Sequence, residues 1–172
     1  MKFLMEQQLK SILTAVANDT LEKLAFLFAF ADEERDHDSP DPAVVGRVEF
    51  DGYFDGFLTM RISDSVIPEL ACNMLGLDDE AQVSNTQQQD ALKELLNVIC
   101  GNALPAIAGD EVEFNIATPE ILPAMDSAHP DRIDNPACIA RLMLEEGSCD
   151  LYFFIEGEFP ELTLPSDSAR DL

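Results

Sequence analysis

The stretch from Ser84 to Ala108 constrains the fold most, because its periodicity predicts one long helix with two unlike faces. Plotted at about 100° per residue, its apolar residues share one broad side that would pack on a core: Leu92, Leu95, Leu96, Ile99, Ala103, Ala106 and Ile107. The other side carries Asp90, Glu94, Asn97, Gly101 and Ala108. A merely solvated face usually carries longer charged side chains and no glycine, which costs about 1 kcal/mol relative to alanine inside a helix. We therefore interpret this stripe as a surface on which another molecule docks closely.

The net charge excludes several classes of partner. The chain has 172 residues, 47% of them apolar in periodic runs, which suits one domain with a sizeable core. Its formal net charge of -24 excludes nucleic-acid binding, because phosphate contacts depend on clustered Lys and Arg, and it argues equally against an anionic membrane surface. Residues 1–24 have the spacing of an amphipathic helix interrupted by charges, rather than that of a signal peptide. We expect a cytoplasmic protein without a membrane partner.

The cysteines and histidines give no metal-binding pattern. The four cysteines show no CxxC spacing, and we interpret them as buried thiols in a reducing compartment: Cys72, Cys100, Cys138 and Cys149. The two histidines, His37 and His129, lie in acidic, loop-like stretches. We therefore expect the chain to bind no metal and no cofactor of its own.

The first half of the chain predicts a helix followed by strands. In chain order the patterns indicate a helix over 6–24, a solvated acidic loop over 32–42, a hairpin with strands over 44–50 and 57–62, and a short helix over 63–76. The aromatic run from Phe26 to Ala31 could continue the first helix or form a buried strand, and we favour the strand.

The second half follows the same order. Ser84 with Gln87 three residues later matches a capping box at the start of the second long helix. Pro105 lacks the N–H that would bond to the carbonyl of Gly101, so the last turn should kink or fray. A strand over 112–118, a polar loop over 125–136 and a hairpin with strands over 137–144 and 149–155 follow.

This order predicts a single α+β domain over 1–157 and an acidic C-terminal tail over 158–172. An antiparallel sheet would be covered by two long helices plus a short helix. Because each half contributes a long helix followed by strands, we also expect a pseudo-twofold internal repeat.

The second long helix, DALKELLNVICGNALPAIAG, resembles the signature helix of the CheC/CheX/FliY chemotaxis phosphatases. The pattern of that family is Asp or Ser, three residues, Glu, two residues, Asn, and a proline a little over twenty residues later. Asp90, Glu94 and Asn97 fit the first three positions, and Pro119 stands one residue closer to the asparagine than the family proline. Residues 48–76 also resemble the first hairpin and short helix of the family. The first long helix carries no second E-x-x-N, which is similar to CheX-like members.

The resemblance implies an aspartyl-phosphate phosphatase, a hydrolase that acts on a CheY-like phosphorylated response regulator, and a homodimer. Catalysis of phosphoryl transfer depends mainly on the positioning of the reacting groups. The regulator would bring its own Mg²⁺ and lysine. Asn97 offers a carbonyl acceptor and an amide donor that suit holding the attacking water, but it is no general base. Glu94 would pair with the lysine of the regulator. Asp90, Gly101 and Pro119 would belong to the docking surface.

A second hypothesis is a non-catalytic module of the same fold that binds a response regulator or a flagellar-switch partner. The presence of both Glu94 and Asn97 favours the phosphatase, because a pure adaptor does not need an amide that orients water. An ordinary wet helix face remains the plainest alternative for this pair. On the flanks of the stripe, we interpret Asn102 as a buried structural amide and Lys93 as a solvated charge.

Overall fold

In the computed structural model, residues 2–123 and 135–157 are described, and these form one antiparallel sheet of seven strands with three α-helices. The helices are α1 (Lys2–Ala25), α2 (Ile67–Leu75) and α3 (Asn85–Ala108). The strands are β1 (Phe30–Ala31), β2 (Ala43–Gly52), β3 (Asp55–Ser63), β4 (Phe114–Ile116), β5 (Glu120–Ile121), β6 (Cys138–Leu144) and β7 (Gly147–Glu156). The predicted α+β class, with an antiparallel sheet covered by two long helices and a short one, is confirmed.

The strands lie in the order β1-β6-β7-β3-β2-β4, and β5 also pairs with β2. The short strand that follows each long helix therefore pairs with the hairpin of the other half: β1 with β6, and β4 with β2. The two long hairpins meet at the centre, where β3 pairs with β7. This order is compatible with a twofold arrangement, and the internal repeat itself stays a prediction, as does the domain boundary at residue 157.

The core lies between the two long helices and one face of the sheet. Side chains at helical spacing on α1, such as Leu9 and Leu13, are fully buried with Leu95 and Leu96 of α3. Each such side chain contributes about 1.5–3 kcal/mol by leaving water. Helix α1 packs against α3 and β6, while α3 also packs against β2. The apolar side of α3 is thereby fixed, and its opposite side faces away from the core.

The aromatic run after α1 differs from the prediction of a buried strand. Only Phe30–Ala31 form strand β1, and this strand pairs with β6 alone at the end of the sheet. The side chains alternate, so that Leu27 is buried whereas Phe26, Phe28 and Phe30 are exposed. The prediction was wrong because an antiparallel strand needs only one apolar face, the one that packs on the core.

The ends of the other predicted elements shift by a few residues. The strand expected over 112–118 is reduced to β4, and β5 follows it. Helix α3 continues through Pro105 to Ala108, and the Gly109 amide donates to the Pro105 carbonyl at 2.8 Å. Most of the loop predicted over 125–136, together with His129 and the tail over 158–172, lies outside the described residues.

The acidic segment over 32–42 is not simply a solvated loop, because Arg35 anchors it to the sheet. Asp150 of β7 is fully buried and accepts hydrogen bonds from both terminal nitrogens of Arg35, at 2.7 and 2.5 Å. Arg141 donates to the same carboxylate at 2.7 Å. The hydrogen bond to Asp150 raises the pKa of the Arg35 guanidinium, which therefore stays positively charged. The buried carboxylate of Asp150 holds the loop through Arg35, and Asp38 of the loop adds a second attachment by accepting from Arg141 and Tyr152.

We predict that Arg35→Ala lowers the free energy of unfolding by about 3 kcal/mol, because it leaves a buried carboxylate short of a partner. The Lys23–Asp19 pair on α1 offers a control, since both side chains are more than half exposed. Lys23→Ala should cost less than about 1 kcal/mol. Urea denaturation measures both, and equal losses would contradict the anchoring role of Arg35.

Candidate functional site

Helix α3 presents the predicted stripe on its exposed side. Asp90, Glu94 and Asn97 are exposed, and Gly101 is half-buried. The predicted capping box is confirmed at the start of the helix. The Ser84 hydroxyl accepts from the Gln87 amide at 3.1 Å, and the Gln87 side chain accepts from the Ser84 amide at 2.9 Å. A capped helix whose other side lies in the core holds these side chains on rigid backbone.

A shallow groove of about 350 Å³ lies between this stripe and the segment that follows β4. Asp90, Lys93, Glu94 and Asn97 form one wall, and residues 116–119, which end at Pro119, form the other. The second wall is fixed by β2, because the Ala117 amide donates to the Glu49 carbonyl at 2.9 Å. The fold therefore brings Pro119 to the same groove as the residues of α3.

Gly101 lies beside this groove rather than in its lining. A Cβ atom added to Gly101 would meet only the Ile116 Cδ1 atom, at 3.9 Å, which is an ordinary contact. The fold itself therefore does not require glycine here. Of the five predicted site residues, four line the groove and Gly101 adjoins it.

The polar groups of the groove are free to bind an external molecule. Within residues 2–123 and 135–157, Asp90, Lys93, Glu94 and Asn97 make no hydrogen bond or ion pair through their side chains. Glu94 and Asn97 are three residues apart on one helix, which places their Cβ atoms about 5–6 Å from each other. A carboxylate and a carboxamide at this spacing can contact neighbouring groups of one ligand. Among the described residues, no group of three or more His, Cys, Asp and Glu side chains is arranged to hold a metal ion.

Three residues beside the stripe differ from the sequence interpretation. Asn102 is exposed, not buried, and so is Ala106, because the core covers a narrower side of α3 than the periodicity indicated. Lys93 is half-buried in the groove rather than simply solvated. Its position one turn before Asn97 on the same face was the signal that could have placed it there. Residues 116–118 were missed because nothing local indicates which helix they approach.

The cysteine behind the site is no nucleophile. Cys100 is buried on the core side of α3, and burial raises the pKa of its thiol to about 12. At neutral pH it carries no thiolate, which is the reactive form. All four cysteines are free and buried, which confirms the prediction of buried thiols.

The length and composition of α3 alone would allow it to cross a membrane, and no other described helix passes that test. Nine of its residues are buried in the protein itself, and half of the apolar window is buried. Core helices of globular proteins have this same property.

A comparison with known protein families finds one family that matches the chain. The family model described as chemotaxis phosphatase CheX matches residues 44–139, which is more than half of the chain and includes Glu94, Asn97 and Pro119. The chain belongs to the CheX family. No curated protein matches it in sequence.

Solved structures of this family have the same fold. CheX from Desulfovibrio desulfuricans has a TM-score of 0.64 and 17% identity, over 86% of this chain and 99% of that chain. CheX from Vibrio vulnificus has a TM-score of 0.64 and 20% identity, over 81% and 93%. The CheX–CheY–BeF3–Mg²⁺ complex from Borrelia burgdorferi matches with a TM-score of 0.64 and 14% identity, over 86% and 97%. At these identities the likeness establishes the fold.

We predict that Gly101→Ala raises the free energy of unfolding by about 0.5–1 kcal/mol, because alanine favours a helix interior and the space is open. Gly56→Ala is the control, since its Cβ would clash with the backbone of Phe154 and should destabilise the protein. Thermal or urea unfolding measures both. A loss of stability in Gly101→Ala would show that the surface above α3 is not open.

Proposed function

We propose that the chain is an aspartyl-phosphate phosphatase that dephosphorylates a CheY-like response regulator. The observation that carries the proposal is the groove itself, in which unpaired Glu94 and Asn97 lie opposite Pro119 on rigid backbone. Membership in the CheX family supports it, and so does the solved complex of a Borrelia burgdorferi CheX with CheY.

Asn97 acts by orientation in this mechanism. Its short side chain accepts a hydrogen bond through the carbonyl oxygen and donates through the amide, so it can hold a water in line with the P–O bond. The water oxygen bonds to phosphorus as the bond to the aspartate oxygen breaks. The products are a free aspartate carboxylate and inorganic phosphate, and the proton of the water passes to the phosphate. An amide is not a general base, and the loose transition state of phosphoryl transfer requires none of great strength.

Glu94 fixes the docked regulator. Its carboxylate lies one turn before Asn97 and pairs with the active-site lysine of the regulator, which aligns the phosphoryl group with the water. Asp90 and Pro119 border the contact, and Gly101 allows the loops of the regulator to approach α3.

The metal belongs to the regulator in this proposal. Orientation by Asn97 and charge pairing by Glu94 require no cation on this chain, so Mg²⁺ would enter with the partner. Titration calorimetry of the isolated chain with Mg²⁺ tests this point, and a tight stoichiometric site would contradict it. We also propose a cytoplasmic homodimer, as the resemblance to CheX-like members implies, and light scattering at several protein concentrations tests the dimer.

We predict that Asn97→Ala abolishes the accelerated decay of the phosphorylated regulator. Because Asn97 is exposed, the free energy of unfolding should change by less than about 0.5 kcal/mol. Asn102→Ala is the matched control, since Asn102 is an exposed asparagine of the same helix that does not line the groove. An unchanged decay rate in Asn97→Ala would exclude the assigned role. A wild-type chain that binds the regulator without accelerating decay would instead support the non-catalytic module.

We predict that Glu94→Ala weakens binding of the regulator by about 10-fold in addition to lowering activity, because it removes a charge pair across the interface. Glu22→Ala provides the control with an exposed glutamate of the other long helix. Titration with the BeF3-treated regulator measures the affinity. Unaltered affinity with lower turnover would assign Glu94 to the chemical step instead of docking.

A further inference from the structure

A second, apolar groove of about 370 Å³ lies at the opposite end of the sheet from the groove between α3 and residues 116–119. Phe26, Phe28 and Phe30 follow α1 and line it together with Met143 of β6. We name it the edge groove. The three phenylalanines are between 66% and 69% exposed and Met143 is 50% exposed, although large apolar side chains are usually buried. An exposed apolar cluster of this kind is typical of an interaction site.

The backbone at Phe26 indicates that the exposed ring is not there for the fold. Phe26 has a φ of 54°, and it is the single non-glycine residue with positive φ among the described residues. The position after a helix that requires this conformation is usually glycine or asparagine, because a Cβ atom costs free energy there. Phe26 is 69% exposed, so burial of the ring does not offset the strain.

The charges around the edge groove limit what can occupy it. Its polar lining consists of Glu69, Glu145 and Glu146, and no Lys or Arg side chain of the described residues lines it. A second copy packed symmetrically on this surface would add three more glutamates to the same interface, in a chain whose net charge is already -24. The complementary surface is apolar with basic groups at its border.

We propose that the edge groove docks a short amphipathic basic segment of a partner protein. Its apolar side chains would contact Phe28, Phe30 and Met143, and its Lys or Arg side chains would pair with Glu145 and Glu146. The edge groove lies against β1, whereas the groove between α3 and residues 116–119 lies against β4 at the other end of the sheet. The proposal therefore does not depend on the phosphatase activity.

A labelled amphipathic peptide of Leu and Lys with helical spacing is the probe, and fluorescence anisotropy measures its dissociation constant. The double variant Phe28→Ser with Phe30→Ser should raise that constant about 10-fold or more. The control replaces two exposed apolar residues elsewhere, Phe3→Ser with Leu4→Ser, and should change it less than about 2-fold. The proposal is overturned if the peptide does not bind the wild-type chain, or if both double variants raise its dissociation constant equally.

A charge-matched comparison separates docking from general attraction to an acidic protein. The variant Glu69→Gln, Glu145→Gln and Glu146→Gln removes three charges at the groove, and the control Glu6→Gln, Glu111→Gln and Glu113→Gln removes three exposed ones elsewhere. The first variant should raise the dissociation constant of the peptide about 10-fold, and the control should raise it less than about 2-fold. Equal effects would overturn the proposal.

Two further measurements address the fold and a second copy as the occupant. Phe26→Gly should raise Tm by about 2–4 °C, because it relieves backbone strain. It should also weaken binding of the peptide, because it removes a side chain that lines the groove. A lower Tm would assign the ring to the fold and overturn this step. If light scattering showed that the Phe28→Ser and Phe30→Ser variant turns a dimer into a monomer, the occupant would be a second copy. Regulator decay should stay at the wild-type rate in this variant.

Discussion

The packing of the apolar side of α3 on the sheet and on α1 is the constraint on which the rest of the structure depends. Leu95, Leu96 and Ile99 have no exposed surface, and they fix both the position and the rotation of the helix. A helix fixed in rotation must present its remaining residues in one direction, so Glu94 and Asn97 need no side-chain partner to be positioned. The polar groove therefore takes its geometry from the apolar core behind it.

The two ends of the sheet carry different chemical groups. The end at β4 faces α3 and carries unpaired polar groups, whereas the end at β1 carries exposed aromatic side chains bordered by glutamates. Between them, the buried Asp150 on β7 attaches the segment over 32–42 through Arg35. Both long helices lie on one face of the sheet, so charge and hydrogen bonding rather than a helix hold the segment on the other.

Much of the fold could be predicted because its signals are local. The capping box of Ser84 and Gln87 fixed the start of α3 within one residue, and turn residues indicated both long hairpins. The errors occurred where a distant residue decides. Nothing near Arg35 in sequence reveals Asp150, so the acidic segment resembled a solvated loop. Phe28 and Phe30 were expected to be buried, since the local sequence does not show that this segment lies at the end of the sheet, where little of the protein covers it.

The candidate site, too, could be predicted only where its features depend on consecutive residues. Sequence by itself determined that Asp90, Glu94, Asn97 and Gly101 share one side of a helix, because helical periodicity is a property of consecutive residues. It also determined which side of that helix is apolar. Only the tertiary structure decided that Pro119 and the segment after β4 form the facing wall, since this requires the pairing of β4 with β2. It likewise decided that Lys93 lines the groove and that Asn102 does not. Strand pairing joins residues far apart in the chain, and no local pattern specifies which ones meet.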